Sequence, residues 1–245
     1  MPHLLSRAAT AAVLLASALA PAAAHDLVVK PQAASGASVP VQVLLTEVFF
    51  VGDVVLKPEN VKLRTVGDGK STDIALTANP DAKALEGTAV APGPAPFLVV
   101  AKVSRTRPAR EEAGKPPEPA AMSESASKAL LNLKPGAAGF DAASGDRLEI
   151  IPLANPAEAK VGDEFPVKVL FDGQPLPVRV FATYDGFSTR DDTFAYATGS
   201  EKDGTAHVKI TAPGLWVVKV SHSLAETAPT HGRYSANANL VFPVK

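Results

Sequence analysis

The chain of 245 residues carries 24 lysines and arginines against 25 aspartates and glutamates, and this near-neutral balance disfavours a polyanion-binding protein. It contains no cysteine, which excludes disulfides, thiolate nucleophiles and thiolate-bound metals. The 22 prolines and 17 glycines favour short strands joined by turns over a helical protein.

Residues 1–24 have the composition of a secretory signal. Arg7 precedes an apolar run from Ala8 to Ala20, and Ala22-Ala23-Ala24 supplies small residues at the cleavage site. The run is shorter than the roughly 20 apolar residues that span a bilayer, so we expect a cleaved signal and no stable membrane insertion. Cleavage after Ala24 would make His25 the first residue of the exported chain, and cleavage after Ala23 is the alternative.

The segment 25–104 shows runs rich in valine, leucine and phenylalanine, separated by turn residues. The candidate strands are Leu27–Pro31, Val39–Val51, Val61–Val66, Thr72–Leu76, Leu85–Val90 and Phe97–Val103. This pattern predicts a first antiparallel β-sandwich domain.

The segment 105–145 differs in composition. Arg105 to Ala121 is rich in proline and charge and almost free of large apolar residues, which is typical of a solvated linker. Met122 to Leu133 favours a short helix, with Ser123 as its N-cap and Ala126, Leu130 and Leu133 on one face.

The segment 146–245 alternates more clearly. The candidate strands are Leu148–Leu153, Phe165–Phe171, Leu176–Tyr184, Thr205–Ile210, Leu215–His222 and Tyr234–Val244. Asp172-Gly173, Asp203-Gly204 and Pro213-Gly214 supply turns between them. We therefore predict an all-β protein of two antiparallel sandwiches, immunoglobulin-like or transthyretin-like, joined by the proline-rich linker and short helix.

Several motifs resemble a bacterial periplasmic family that carries a domain of unknown function and is grouped with periplasmic components of nickel and cobalt uptake systems. They are the runs IIPLANP at 150–156 and GLWVVKVSH at 214–222, together with Ala24-His25-Asp26 at the predicted cleavage site. Members often have an aromatic residue soon after that histidine, where this chain has Val28-Val29. The resemblance implies a periplasmic protein whose partners are a metal ion and a membrane metal-uptake transporter.

Four histidines follow the predicted signal: His25, His207, His222 and His231. His207 falls on the polar face of its strand and is predicted to be solvated. His222 shares the parity of Trp216, Val218 and Val220, so it either caps the edge of the core or binds a metal. His231 lies in a loop that could approach His222.

These residues give a metal-site hypothesis that draws mainly on the resemblance. The α-amine and imidazole of His25 would chelate a divalent nickel, cobalt or copper ion, with His222 and His231 completing the site. Asp26 would add an oxygen ligand or orient an imidazole. The alternative is an N-terminus without a ligand role.

No catalytic motif is present, so we predict that the protein is not an enzyme, although a copper oxidase built on the same His25 terminus stays open. Asp185, Asp191 and Asp192 lack the spacing of a calcium loop and are predicted to be solvated turn residues. The alternative function is a non-catalytic interaction or carbohydrate-binding module with no metal role, and no nucleic-acid partner is expected.

Overall fold

A computed structural model describes residues 25–33, 38–114, 117–225 and 232–245, and this part of the chain is all-β, as predicted. The predicted signal lies outside the described residues. The only helices within the described ranges are single 3₁₀ turns at Pro58–Asn60 and Pro156–Glu158, so none there is long enough to cross a membrane. The strands are β1 (Asp26–Pro31), β2 (Ser38–Thr46), β3 (Lys62–Gly67), β4 (Lys70–Asp73), β5 (Thr77–Asn79), β6 (Ala84–Val90), β7 (Phe97–Arg107), β8 (Ala121–Leu131), β9 (Leu148–Pro152), β10 (Glu164–Phe171), β11 (Gln174–Pro175), β12 (Arg179–Tyr184), β13 (Tyr196–Gly199), β14 (Thr205–Lys209), β15 (Gly214–Leu224) and β16 (Arg233–Val244).

A central eight-stranded sheet in the order β13-β12-β15-β16-β8-β7-β3-β4 lies between two smaller sheets. The first outer sheet has the order β1-β2-β6-β5, and in the second β10 pairs with β9, β11 and β14. Strands from both segments that the sequence predicted to be separate domains share the central sheet. The division into two domains stays a prediction.

Each face of the central sheet closes one hydrophobic core. Trp216, Val218 and Val220 of β15 pack toward β10 and β14, whereas Val217 between them packs toward the first outer sheet. Successive side chains of a strand point to opposite faces, so a strand covered on both faces must be apolar at almost every position. This requirement explains the unbroken apolar run in β15.

The short helix predicted at 122–133 is wrong, because most of these residues form strand β8. This strand runs antiparallel to β7 and parallel to β16, and its second half is buried on both faces. Its alanine, glutamate, lysine and leucine residues favour a helix locally, but the pairing with two neighbouring strands outweighs that weak preference. The N-terminal part of the predicted linker is likewise strand, because β7 continues to Arg107.

Most other predicted strands are present with small shifts at their ends. The main difference is in β2, which ends at Thr46 rather than at Val51. The chain bends there, and Phe50 adopts a positive φ of 67°. The short edge strands β5 and β13 were not predicted, since their mostly exposed residues give no hydrophobic signal.

The outer edge of β1 is attached to the central sheet by buried polar side chains. The backbone N–H of Val29 donates to Ser127 Oγ at 3.0 Å, and Asn239 Nδ2 donates to the carbonyl oxygen of Leu27 at 2.8 Å. Ser127 and Asn239 are almost fully buried, with exposures of 0% and 2%. They satisfy the backbone groups that β1 does not share with β2, which a buried strand edge requires.

Ser127→Ala should therefore lower the free energy of unfolding by about 1–3 kcal/mol, because the N–H of Val29 would stay buried without an acceptor. Chemical denaturation of a chain that begins at His25 measures this change. Ser125→Ala is the matched control, since Ser125 lies on the same face of β8 and its side chain bonds no described residue; it should change stability by less than about 0.5 kcal/mol. Equal losses in the two variants would contradict the role given to Ser127.

Candidate metal centre

The fold brings His25 to two carboxylates at one end of the first outer sheet. In the β1–β2 register Asp26 lies opposite Thr46, so His25 lies beside Glu47, where β2 has ended. The chain then bends back, and the N–H of Asp53 donates to the carbonyl oxygen of Leu45 at 3.0 Å. Gly52 permits this return, because a Cβ there would lie 2.5 Å from the backbone oxygen of Lys83.

The three side chains converge on one point. His25 Nε2 lies 2.7 Å from Asp53 Oδ2 and 3.5 Å from Glu47 Oε1, and the possible ligand atoms of all three lie within 4.8 Å of one another. The side chains of His25, Glu47 and Asp53 are 30%, 40% and 42% exposed, so the cluster is open to solvent. One imidazole nitrogen and two carboxylates form a donor set that suits divalent cobalt, nickel, copper or zinc.

The ring of His25 has a second nitrogen with a different environment. No described residue hydrogen-bonds Nδ1, whereas Asp53 holds Nε2. In a chain that begins at His25, the α-amine and Nδ1 can close a six-membered chelate ring with one metal ion, a ring that Nε2 is too far from the amine to form. The site therefore offers two modes: Nε2 with both carboxylates as ligands, or the amine with Nδ1 as ligands and Asp53 as the acceptor that orients the ring.

Asp26, the next residue, is buried and serves the structure rather than the cluster. Lys219 Nζ lies 2.6 Å from Asp26 Oδ2, and Asn239 Nδ2 lies 3.5 Å from Oδ1. Burial raises the pKa of Asp26 above its ordinary value, although the adjacent ammonium of Lys219 acts in the opposite direction. The carboxylate points away from solvent, and its partners fix the start of β1.

His222 does not join this cluster. It lies opposite Ala236 in the β15–β16 register and therefore shares the face of that residue, which packs toward the second outer sheet. Its ring meets Phe171 edge-on with centroids 4.8 Å apart. Ser235 and His25 line the same cavity. Ser235 directly precedes Ala236 in β16, so its side chain points to the face of the central sheet opposite to that of His222. The structure thus separates His25 from His222 by the thickness of the sheet.

The other predicted residues have simpler positions. His231 lies outside the described residues, so its predicted role stays a prediction. His207 is exposed on β14, as predicted. Asp185 is an exposed turn residue whose carboxylate pairs with Lys30 Nζ at 2.7 Å.

Sequence reasoning missed Glu47 and Asp53 as partners of His25. Both lie in or after the apolar run that was predicted to continue as strand to Val51, and a strand would have carried them apart. The available signal was Gly52-Asp53, which marks a bend. Pairing the first two candidate strands as a hairpin would have placed Glu47 near His25.

The raised pKa of Asp26 makes a prediction about pH. The folded state holds this proton more tightly than the unfolded chain, so the stability from Asp26 is greatest below its ordinary pKa of 3.8 and is lost as pH rises through the folded-state value. The side chain in Asp26→Asn does not ionise, so this variant does not lose stability in the same way. Its free energy of unfolding should therefore rise relative to that of the natural chain as pH rises from about 3.5 toward neutrality. Urea denaturation across this range measures the difference.

Asp172→Asn provides a contrast of opposite sign. The hydrogen bonds from Arg147 hold the pKa of Asp172 below its usual range, so this carboxylate stabilises the fold above its ordinary pKa and loses that contribution in acid. The variant should become less stable relative to the natural chain as pH rises. Parallel pH profiles for the two variants would contradict the assignment at Asp26.

Comparisons with known proteins give a family but no function. No curated protein matches the chain. Among solved structures, the D0-D1 domain of intimin is 14% identical, with 89% of this chain and 98% of that chain covered and a TM-score of 0.22. The mouse nectin-like molecule 4 ectodomain (Ig1–Ig3) is 15% identical, with 90% and 65% covered and a TM-score of 0.22. The family model described as "Domain of unknown function (DUF4198)" matches residues 22–224, so the chain belongs to the DUF4198 family.

Proposed function

We infer that this protein is exported to the periplasm and there binds a divalent transition metal of the nickel and cobalt class, or assists its uptake, through His25, Glu47 and Asp53. The observation that carries this proposal is the convergence on His25 Nε2 of two carboxylate oxygens, at 2.7 Å and 3.5 Å. Because the chain has no cysteine, a transition-metal site must use histidine, carboxylate, methionine or backbone donors, and this cluster supplies the first two.

The chemistry of the cluster makes metal binding dependent on protons. A metal on Nε2 requires the proton shared with Asp53 to leave, and a metal on the α-amine requires that amine to be deprotonated. Affinity should therefore rise with pH in both modes. The amine has an ordinary pKa of about 7.7–8.0, so it can yield its proton to a metal near neutral pH.

The wider proposal follows the resemblance found in the sequence. The metal ion would be cargo rather than a catalytic cofactor, and the protein would pass it to a membrane metal-uptake transporter. On this proposal the sandwich layers belong to two domains of immunoglobulin-like or transthyretin-like type. The protein is not an enzyme and does not bind nucleic acid.

One observation favours a second candidate, a non-catalytic interaction or carbohydrate-binding module without a metal. Val51 and Val54, which flank Asp53, are 57% and 50% exposed. Contiguous exposed apolar side chains rimmed by polar ones mark contact surfaces, and these two valines lie on the same bend of the chain. A partner that covers this bend would use the same end of the molecule without any metal.

Titration of the exported chain with nickel, cobalt and copper by calorimetry tests the site. Glu47→Gln and Asp53→Asn keep the size of each side chain and remove its charge, and each should weaken binding at least about tenfold, because both lie against the ring of His25. His25→Ala should abolish binding. Asp81→Asn is the control, as an exposed acid in a turn on the same half of the chain.

His222→Ala should leave metal affinity unchanged, since the central sheet separates that ring from His25. No binding below about millimolar metal, or equal affinity in the natural chain and in Asp53→Asn, would refute the proposed function. A loss of binding in His222→Ala with an intact fold would instead restore the histidine site that the sequence predicted.

The role of the terminus has its own test. A chain that retains Ala24 has no amine on His25, so a site that uses the amine and Nδ1 should lose nearly all of its affinity. A site that uses Nε2, Glu47 and Asp53 should bind within about threefold of the natural chain. Intact mass of the two secreted chains confirms their first residues before calorimetry.

A further inference from the structure

A polar groove of about 290 Å³ lies beside His25, between the first outer sheet and the central sheet. The start of β1 and the end of β2 form one wall, which contains Leu27 and Leu45. Strands β7, β8 and β16 form the other wall. His25 lines the groove and also belongs to the candidate metal centre, whereas the other groove residues differ from Glu47 and Asp53.

The groove wall repeats the chemistry that attaches β1. In the parallel register of β8 and β16, Ser127 lies opposite Asn239, and these two side chains bond the backbone of β1. Two residues back along both strands, on the same face, Ser125 lies opposite Asn237. Because β1 begins at Asp26, no strand of the described residues covers this second pair, and neither side chain hydrogen-bonds any of those residues.

The next row outward adds a positive charge. Ser123 lies opposite Ser235 on β16 and opposite Arg105 on β7. Arg105 is exposed and forms no ion pair with any described residue. Among the described residues, no carboxylate lines the groove, and Arg105 is the one lining residue with a permanent charge.

We propose that this groove binds a small hydroxycarboxylate anion, with a carboxylate on Arg105 and with hydroxyl and carbonyl oxygens on the Ser125–Asn237 pair. Asn237 offers two N–H donors and a carbonyl acceptor, and the serines offer hydroxyls that both donate and accept, so together they match a ligand that carries hydroxyl as well as carboxylate groups. A guanidinium binds a carboxylate through paired hydrogen bonds. The proposal goes beyond the metal site and does not depend on it.

The volume limits the ligand to a small molecule, and the lining separates it from a sugar. The volume lies at the lower limit of small-molecule sites, about 300–1,000 Å³, which suits a ligand of roughly a dozen heavy atoms. Apart from the imidazole of His25, the described lining residues offer no ring on which a sugar face would pack. A neutral sugar would also leave Arg105 without a counter-charge.

Calorimetry on the metal-free exported chain, with citrate as the probe, tests the proposal. Citrate should bind, and tricarballylate, which has the same three carboxylates without the hydroxyl, should bind several-fold more weakly. Arg105→Ala should weaken citrate binding at least tenfold, and Asn237→Ala should weaken it several-fold. Glucose should give no binding.

Lys62→Ala is the matched control, because Lys62 is an exposed cation on β3, beside β7, and does not line the groove. It should leave citrate affinity unchanged. No heat of binding up to about 10 mM citrate, or equal affinity in Arg105→Ala and the natural chain, would overturn the proposal. Since metal is absent from these titrations, their failure would say nothing against metal binding at His25, and failure of the metal titrations would leave the groove unaffected.

Discussion

The position of β1 on the central sheet is the constraint from which the candidate chemistry follows. A strand edge carries N–H and C=O groups that cannot be buried unless they are bonded. Ser127 and Asn239 provide those bonds, and the Asp26–Lys219 pair adds an ionic contact at the start of the strand. An outer sheet held only by apolar contacts could slide along the central sheet, whereas one held by directional bonds has a fixed register. His25, one residue before Asp26, is placed by that register.

The same constraint explains why the polar groove exists. The Ser–Asn pattern on β8 and β16 continues for two more residues than β1 needs, and the side chains beyond the start of β1 face open space instead of a backbone. Buried polar groups without partners cost free energy, but these groups are only half-buried and water can reach them. These polar side chains are partly shielded from water and are already held in position by their strands. A polar ligand that binds them therefore loses less free energy to desolvation and to side-chain ordering.

The sequence predicts strands well wherever one hydrophobic pattern decides the structure. β10 and β15 were found within a few residues, because alternation or an unbroken apolar run leaves little choice. β8 was missed because an N-cap at Ser123 and the spacing of its apolar residues favoured a short helix. In the structure Lys128 is buried with its Nζ 2.8 Å from Glu149 Oε1. Glu124 accepts hydrogen bonds from Lys102 and from the hydroxyl of Tyr234, at 2.8 Å and 2.6 Å. Burial disfavours the ionised form of Glu124, but these bonds outweigh it and hold its pKa below the usual range. Every partner is far away in sequence, so no local pattern could show that these charges would be buried.

Only part of the candidate site could likewise be predicted from local sequence, because its other residues depend on long-range contacts. His25 could be singled out from the sequence because a predicted cleavage site and a histidine adjoin, and both signals are local. Its neighbours could not, since Glu47 depends on the β1–β2 register and Asp53 on the bend that ends β2 early. His222 was proposed from the correct parity, yet parity fixes only the face of one strand and not which face of the sheet looks toward His25. When both faces of a central sheet are covered, two possible metal ligands can lie on the same face of that sheet or on opposite faces. A metal site predicted from histidines alone therefore needs the layer order of the sheets before its ligands can be paired.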